Sequence, residues 1–128
     1  MEKIIVDIRW DSNYGASSDE ILGCVALHST LEGVQKEYAQ VLQMHLEGLD
    51  QIPARLCKPY ELIFRLDVHA LLNRYKGVIT FKALAEVSGI DARQLGHYAQ
   101  GKRKARPQQR AKIVRGIQKI GAEFMAVE

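Results

Sequence analysis

Residues 80–104, TFKALAEVSGIDARQLGHYAQGKRK, constrain the fold more than any other stretch of this chain. Phe81, Leu84, Ala85, Val87, Ile90, Leu95 and Tyr98 recur at helical spacing, interrupted once around Gly89. Ala85 lies four residues before Gly89. A small side chain there lets two helices cross closely, and glycine permits a turn that a bulkier residue would strain. Asp91 is an N-cap candidate, because a short side-chain oxygen accepts the free N–H groups of a helix start. Gly101 ends the second helix, and Lys102, Arg103, Lys104 and Arg106 follow at once. The pattern predicts a short helix, a tight turn and a second helix over about residues 91–100, then a basic tail. Helix-turn-helix units of this kind present their second helix to the DNA major groove.

The rest of the chain divides by charge. Residues 1–67 hold 6 Lys and Arg against 11 Asp and Glu, a balance of −5. Residues 68–128 hold 12 against 4, a balance of +8. A basic half suits phosphates, whereas an acidic half suits a basic protein or is simply a solvated surface. At 128 residues the chain has room for one domain or two very small ones. Cys24 and Cys57 form no CxxC and no zinc spacing, and their apolar neighbours suggest two buried, reduced thiols. Charges recur from Glu2 to Arg9, and no apolar run approaches the roughly 20 residues of a membrane helix. The expectation is a cytoplasmic protein with no cofactor, no metal site and no membrane partner.

The N-terminal half reads as β-β-β-α-β. Residues 3–10, KIIVDIRW, are a β-branched run of strand type. DSNYG at 11–15 is rich in turn formers, residues 15–18 begin a second strand, and GCVALH at 23–28 is a third. Ser29-Thr30-Leu31-Glu32 has the form of a capping box, with Ser29 as cap and Glu32 reaching back. The helix runs to about Glu47, with Leu31, Val34, Tyr38, Val41, Leu42 and Leu46 on one face and Gly48 as its end. Residues 50–59 are irregular, punctuated by Pro53 and Pro59, and YELIFRL at 60–66 alternates as a fourth strand. Residues 68–75 form a helix before Gly77, and Pro107 opens a last helix with Ile113, Ile117, Ile120 and Phe124 as its stripe. The expected architecture is α+β, with a small sheet domain over residues 1–67 and an all-α helix-turn-helix domain over residues 68–128.

Both halves carry a resemblance. The Asn13-Tyr14-Gly15-Ala16 turn, Leu22-Gly23-Cys24-Val25, Ser29-Thr30-Leu31-Glu32 and His45-Leu46-Glu47-Gly48-Leu49 resemble the HicB antitoxin family. Ala85, Gly89, Ile90, Leu95, Tyr98 and Gly101 resemble the phage-repressor (Cro, XRE) type of helix-turn-helix. The resemblance covers nearly the whole chain. Leu22 stands where the family usually has Pro, and His28-Ser29 where it usually has Gly-Asp. It implies an N-terminal partial ribonuclease H-like domain without activity. It also implies an antitoxin that neutralises a small basic, mRNA-cleaving HicA-like toxin and represses its own operon.

Matched to the repressor motif, the residues facing operator double-stranded DNA are Ala92, Arg93, Gln94 and His97. Arg93 suits guanine, Gln94 suits adenine, and Ala92 suits a thymine methyl. Lys102, Arg103, Lys104, Arg106 and Arg110 are placed for phosphates, which carry affinity rather than sequence choice. One short helix reads few base pairs, so a homodimer or higher oligomer on two half-sites is expected. For the toxin, the acidic Asp11, Asp19 and Glu20 are the expected contacts, with Tyr14 as an exposed aromatic anchor. Tyr14 also fits a role closing the strand turn over the core.

No catalytic residue is assigned. A ribonuclease H-like enzyme gathers several carboxylates on adjacent strands to hold two metal ions, and Asp7 has no evident companions. The alternative reading is a helix-turn-helix transcription regulator whose N-terminal half senses a ligand or dimerises.

Overall fold

The computed structural model describes residues 1–128, which divide into two compact units, Met1–Leu66 and Asp67–Glu128. The fold is α+β, with one four-stranded mixed sheet and six helices. The division comes one residue earlier than the charge boundary at 67/68. Asp67 belongs with the second unit because it caps the next helix, its Oδ1 accepting from the Ala70 N–H at 2.8 Å. No helix is long and apolar enough to cross a membrane.

In the first unit the strands are β1 (Glu2–Asp11), β2 (Asn13–Ser18), β3 (Ile21–His28) and β4 (Tyr60–Leu66), in the order β3-β2-β1-β4. β1 pairs antiparallel with β2 and parallel with β4. The long helix α1 (Leu31–Glu47) and the single-turn α2 (Ala54–Cys57) lie between β3 and β4. Period-two alternation sends Ile4, Val6 and Ile8 to one face, where they are buried with Ala16, Cys24 and Ala26. α1 meets that face with Val34, Tyr38 and Leu42, spaced four apart and fully buried. Each such side chain contributes on the order of 2 kcal/mol through removal from water. Tyr38 packs edge-on against Phe64, with ring centroids 6.4 Å apart, and burial pushes its phenol up to about 12. The opposite face of the sheet has no helix of its own unit over it, and Val25 and Leu27 of β3 are exposed there.

Side chains extend the sheet where β2 stops. On its β2 side Ile5 has no ladder partner, and Ser18 Oγ donates to the Ile5 carbonyl at 2.6 Å while Glu20 accepts the Ile5 N–H at 2.7 Å. Arg55, on α2, donates to Glu20, to Glu2 at 3.1 Å and to the Lys3 carbonyl at 3.0 Å. This guanidinium holds the irregular 50–59 segment to the start of β1.

In the second unit, α3 (Val68–Tyr75), α4 (Phe81–Ser88), α5 (Ala92–Ala99) and α6 (Pro107–Met125) enclose a separate core. Val68, Leu72, Leu84, Ile90, Leu95, Tyr98, Ile113 and Ile120 build it. Gly116 of α6 sits against α4 so closely that an added Cβ would lie 3.2 Å from each of Leu84, Ser88 and Val87.

Three expectations are corrected. The cap of α1 is Thr30, not Ser29: Thr30 Oγ1 accepts the Gly33 N–H at 3.0 Å, and His28 Nδ1 accepts the Thr30 N–H at 3.0 Å. With glycine at the position from which a capping box reaches back, an imidazole before the helix takes over that acceptor role. Cys57 is exposed, because α2 is one turn with no buried residue, whereas Cys24 is buried in the sheet core. Gly48 does end α1 as expected, at φ −86°, so its special freedom is unused. Phe124 is 59% exposed, since the α6 stripe extends past Ile120 beyond its partners.

Gly116→Val is expected to destabilise the second unit by about 1–3 kcal/mol through overpacking. Gly121→Ala, whose added Cβ meets nothing within 4 Å, is expected to stabilise it by up to about 1 kcal/mol. Urea titrations followed by circular dichroism measure both. Arg55 and the Ile5 N–H hold the Glu20 carboxyl below its ordinary 4.5. A depressed carboxyl stabilises the fold above its unfolded value and loses that contribution as pH falls through the folded one. Glu20→Gln is expected to lower stability at neutral pH and to flatten its decline below about pH 4.5. Thermal melts across pH 3–7 (a window set around that value) would refute this if both proteins lost stability in parallel.

Candidate nucleic-acid interface

α4 and α5 are joined by the three residues Gly89, Ile90 and Asp91. Thr80 caps α4 through the Ala83 N–H, and Asp91 caps α5 through the Gln94 N–H at 2.8 Å. Gly89 ends α4 at φ +77°, in the left-handed region that costs other residues about 1 kcal/mol or more. Ile90 then turns inward, 4% exposed, with its N–H satisfied by Ser88 Oγ. α5 ends in a Schellman motif: the Gly101 N–H bonds Tyr98 O, the Lys102 N–H bonds His97 O, and Gly101 stands at φ +76°.

α3 anchors this helix end. Asn73 Nδ2 donates to the Ala99 carbonyl at 2.8 Å and to the His69 carbonyl at 2.8 Å. His69 Nδ1 lies 3.3 Å from the Tyr98 carbonyl. The last carbonyls of α5 therefore have partners on a neighbouring helix, and the helix is fixed at both ends. Leu95 and Tyr98 turn inward, 0% and 4% exposed, leaving the opposite side free.

Ala92 and Arg93 are exposed on that free side, and His97, one turn after Arg93, is half-buried. Gln94 is also half-buried, and its Nε2 donates to the Tyr98 hydroxyl at 3.0 Å. Gln94 and Tyr98 form one wall of an open groove of about 740 Å³, whose other walls are Arg103, Lys104, Arg106, Gln108, Gln109 and Lys112. Gln94, Arg103, Lys104 and Arg106 thus converge, while Ala92, Arg93, His97 and Lys102 lie outside the groove. The sequence reading missed Gln108, Gln109 and Lys112. Their only signal was position, in the first two turns after Pro107.

The groove is cationic without internal compensation. No carboxylate lines it, and the ion pairs Arg55–Glu2, Arg55–Glu20 and Arg65–Asp7 lie in the first unit. Arg106 makes no side-chain cap on α6, so the partial positive charge of that helix start adds to the four cations of the groove. Such a surface attracts polyanions, with a strength that falls as salt rises.

The acidic surface expected in the first unit is not one patch. Asp11 lies at one end of β2 and Asp19 and Glu20 follow its other end. The six residues of β2 between them span about 20 Å. Glu20 is exposed, but its carboxylate is engaged by Arg55 and by the Ile5 N–H. Tyr14 is not an exposed anchor: it is 7% exposed and packs at a tilt against Trp10, with centroids 4.7 Å apart, closing the hairpin over the core. Of the two roles the sequence left open for Tyr14, the one closing the strand turn over the core is taken, because its position in β2 faces inward. Instead Leu22, Val25 and Leu27 of the edge strand β3 are exposed by 82%, 60% and 65%. Asp7, the lone carboxylate considered for catalysis, is paired with Arg65 at 3.2 Å, and no group of three or more His, Cys, Asp or Glu comes together anywhere.

Compared with protein-family models, curated proteins and solved structures, the chain matches none at a significant level.

Asn73→Ala is expected to cost about 1–3 kcal/mol, because two partly buried carbonyls lose their donor. Hydrogen exchange would show the loss first at the end of α5. Unchanged protection of the residue 100–102 amides would refute the anchoring role.

Proposed function

We propose that this protein is a two-part antitoxin and autorepressor, cytoplasmic, whose second unit binds operator DNA and whose first unit binds a small basic toxin. One observation carries the DNA half. An exposed helix face bearing Arg93 stands beside a groove where Gln94, Arg103, Lys104 and Arg106 converge without internal counter-charges. In this reading Arg93 and Gln94 choose bases, with His97 and Ala92 at the margins of the contact. Arg103, Lys104, Arg106 and Lys112 hold phosphates, and Lys102 follows the backbone. A homodimer would set two such helices on two half-sites.

The toxin half rests on the resemblance to HicB sequences and on the charge of the first unit. The site is reassigned from Tyr14 to the exposed apolar side chains of β3, with Asp11 and Asp19 as flanking charges that steer a basic partner. No catalytic role is assigned to either unit. The second reading is a transcription regulator that dimerises through its first unit. The same edge strand favours it, since an edge with exposed apolar side chains offers itself to another strand.

Expression with the neighbouring reading frame, one partner tagged, separates the two readings. A stable complex with a small basic protein that is toxic alone supports the antitoxin. A self-associating protein with a harmless neighbour supports the regulator. For the DNA half, Lys104→Ala is expected to weaken binding evenly across sequences and to reduce the salt slope by about 1. Arg93→Ala is expected to cost about 1–3 kcal/mol and to relax sequence choice. Fluorescence anisotropy at several salt concentrations measures both, and salt-independent binding by the parent protein would refute the interface.

A further inference from the structure

We infer that Tyr98 is a positioning residue for base choice: its hydroxyl fixes the Gln94 amide so that Gln94 selects an A·T pair. The inference rests on the proposed DNA-binding role of α5. Tyr98 is 4% exposed, its ring locked in the core formed with Leu84, Ile90, Leu95 and Ile113. Its backbone carbonyl lies 3.3 Å from His69 Nδ1, and the next carbonyl, of Ala99, is held by Asn73. The hydroxyl is thus a fixed point, and it receives a hydrogen bond from Gln94 Nε2 at 3.0 Å. A glutamine on a helix surface otherwise samples several rotamers at its three side-chain torsions, and ordering it costs entropy at the moment of contact.

The bond also edits what Gln94 offers. A side-chain amide has two N–H donors and one carbonyl acceptor. With one donor committed to Tyr98, one donor and the acceptor remain. That pair complements the N7 acceptor and N6 amino donor of adenine in the major groove, and no other base presents the same adjacent pair. Tyr98 and Gln94 share a wall of the cationic groove, so phosphate contacts made by Arg103, Lys104 and Arg106 would place the duplex against this prearranged amide.

The test is enrichment from a random-sequence duplex DNA pool by the parent protein and by Tyr98→Phe, Gln94→Ala and Gln94→Glu, with thermal stability and salt slope measured in parallel. The parent is expected to enrich an A·T pair at one position of its site. Gln94→Ala should abolish that preference. Tyr98→Phe keeps the buried ring and should reduce the preference about threefold to tenfold, the worth of one hydrogen bond, with salt slope unchanged. Gln94→Glu accepts from the Tyr98 hydroxyl but has no donor for N7, and should move the preference toward C·G. An unaltered A·T preference in either Tyr98→Phe or Gln94→Glu overturns the inference. A parent protein that enriches no sequence overturns the DNA-binding reading beneath it.

Discussion

The end of α5 is the point on which the second unit depends. Four carbonyls at a helix C-terminus lack partners within the helix, and here they are supplied from two directions. Gly101 and Lys102 fold back on Tyr98 and His97, and Asn73 and His69 reach across from α3 to Ala99 and Tyr98. Because the amide of Asn73 binds a carbonyl on its own helix and one on α5 at the same 2.8 Å, it sets the spacing of the two helices as well as satisfying them. With that end held and Leu95 and Tyr98 buried, the rotation of α5 about its axis is determined. That rotation sets which way Arg93, Gln94 and His97 face.

The first unit is held by a different device. A sheet whose second strand is shorter than its first must leave backbone groups unpaired, and buried or half-buried groups of this kind are costly. Ser18 and Glu20 stand in for the absent strand, and Arg55 ties the Glu20 carboxylate to the 50–59 segment. The charges of this network are therefore engaged with one another and with backbone groups of β1. What remains outward is the apolar side of β3.

The elements were legible because their signals are local. The β-branched run at 3–10, the four-apart spacing in α1, Asp91 and Gly89 at the motif turn, and Pro107 at a helix start each act within a few residues. Capping was read one residue too early at Ser29 because the pattern of letters contained a full capping box. The choice between Ser29 and Thr30 was decided by the imidazole of His28, whose position depends on where β3 ends. The role of Tyr14 was left open, and Cys57 was misplaced, for a related reason. Burial is set by the partner that arrives from elsewhere, as Trp10 does for Tyr14 and as none does for α2.

The sequence alone determined the α+β composition of the fold, the opposite charge of its two halves and the helix on which Arg93, Gln94 and His97 lie, since propensity, periodicity and net charge are properties of neighbouring residues. Tertiary structure alone decided three further things: that Gln108, Gln109 and Lys112 join Arg103, Lys104 and Arg106 around one groove, that the carboxylates of the first unit are scattered or paired, and that Gln94 meets the hydroxyl of Tyr98. The physical reason is that each depends on where side chains stand once helices and strands have packed. Hydrogen bonds such as Asn73 to Ala99, between residues far apart along the chain, set that packing.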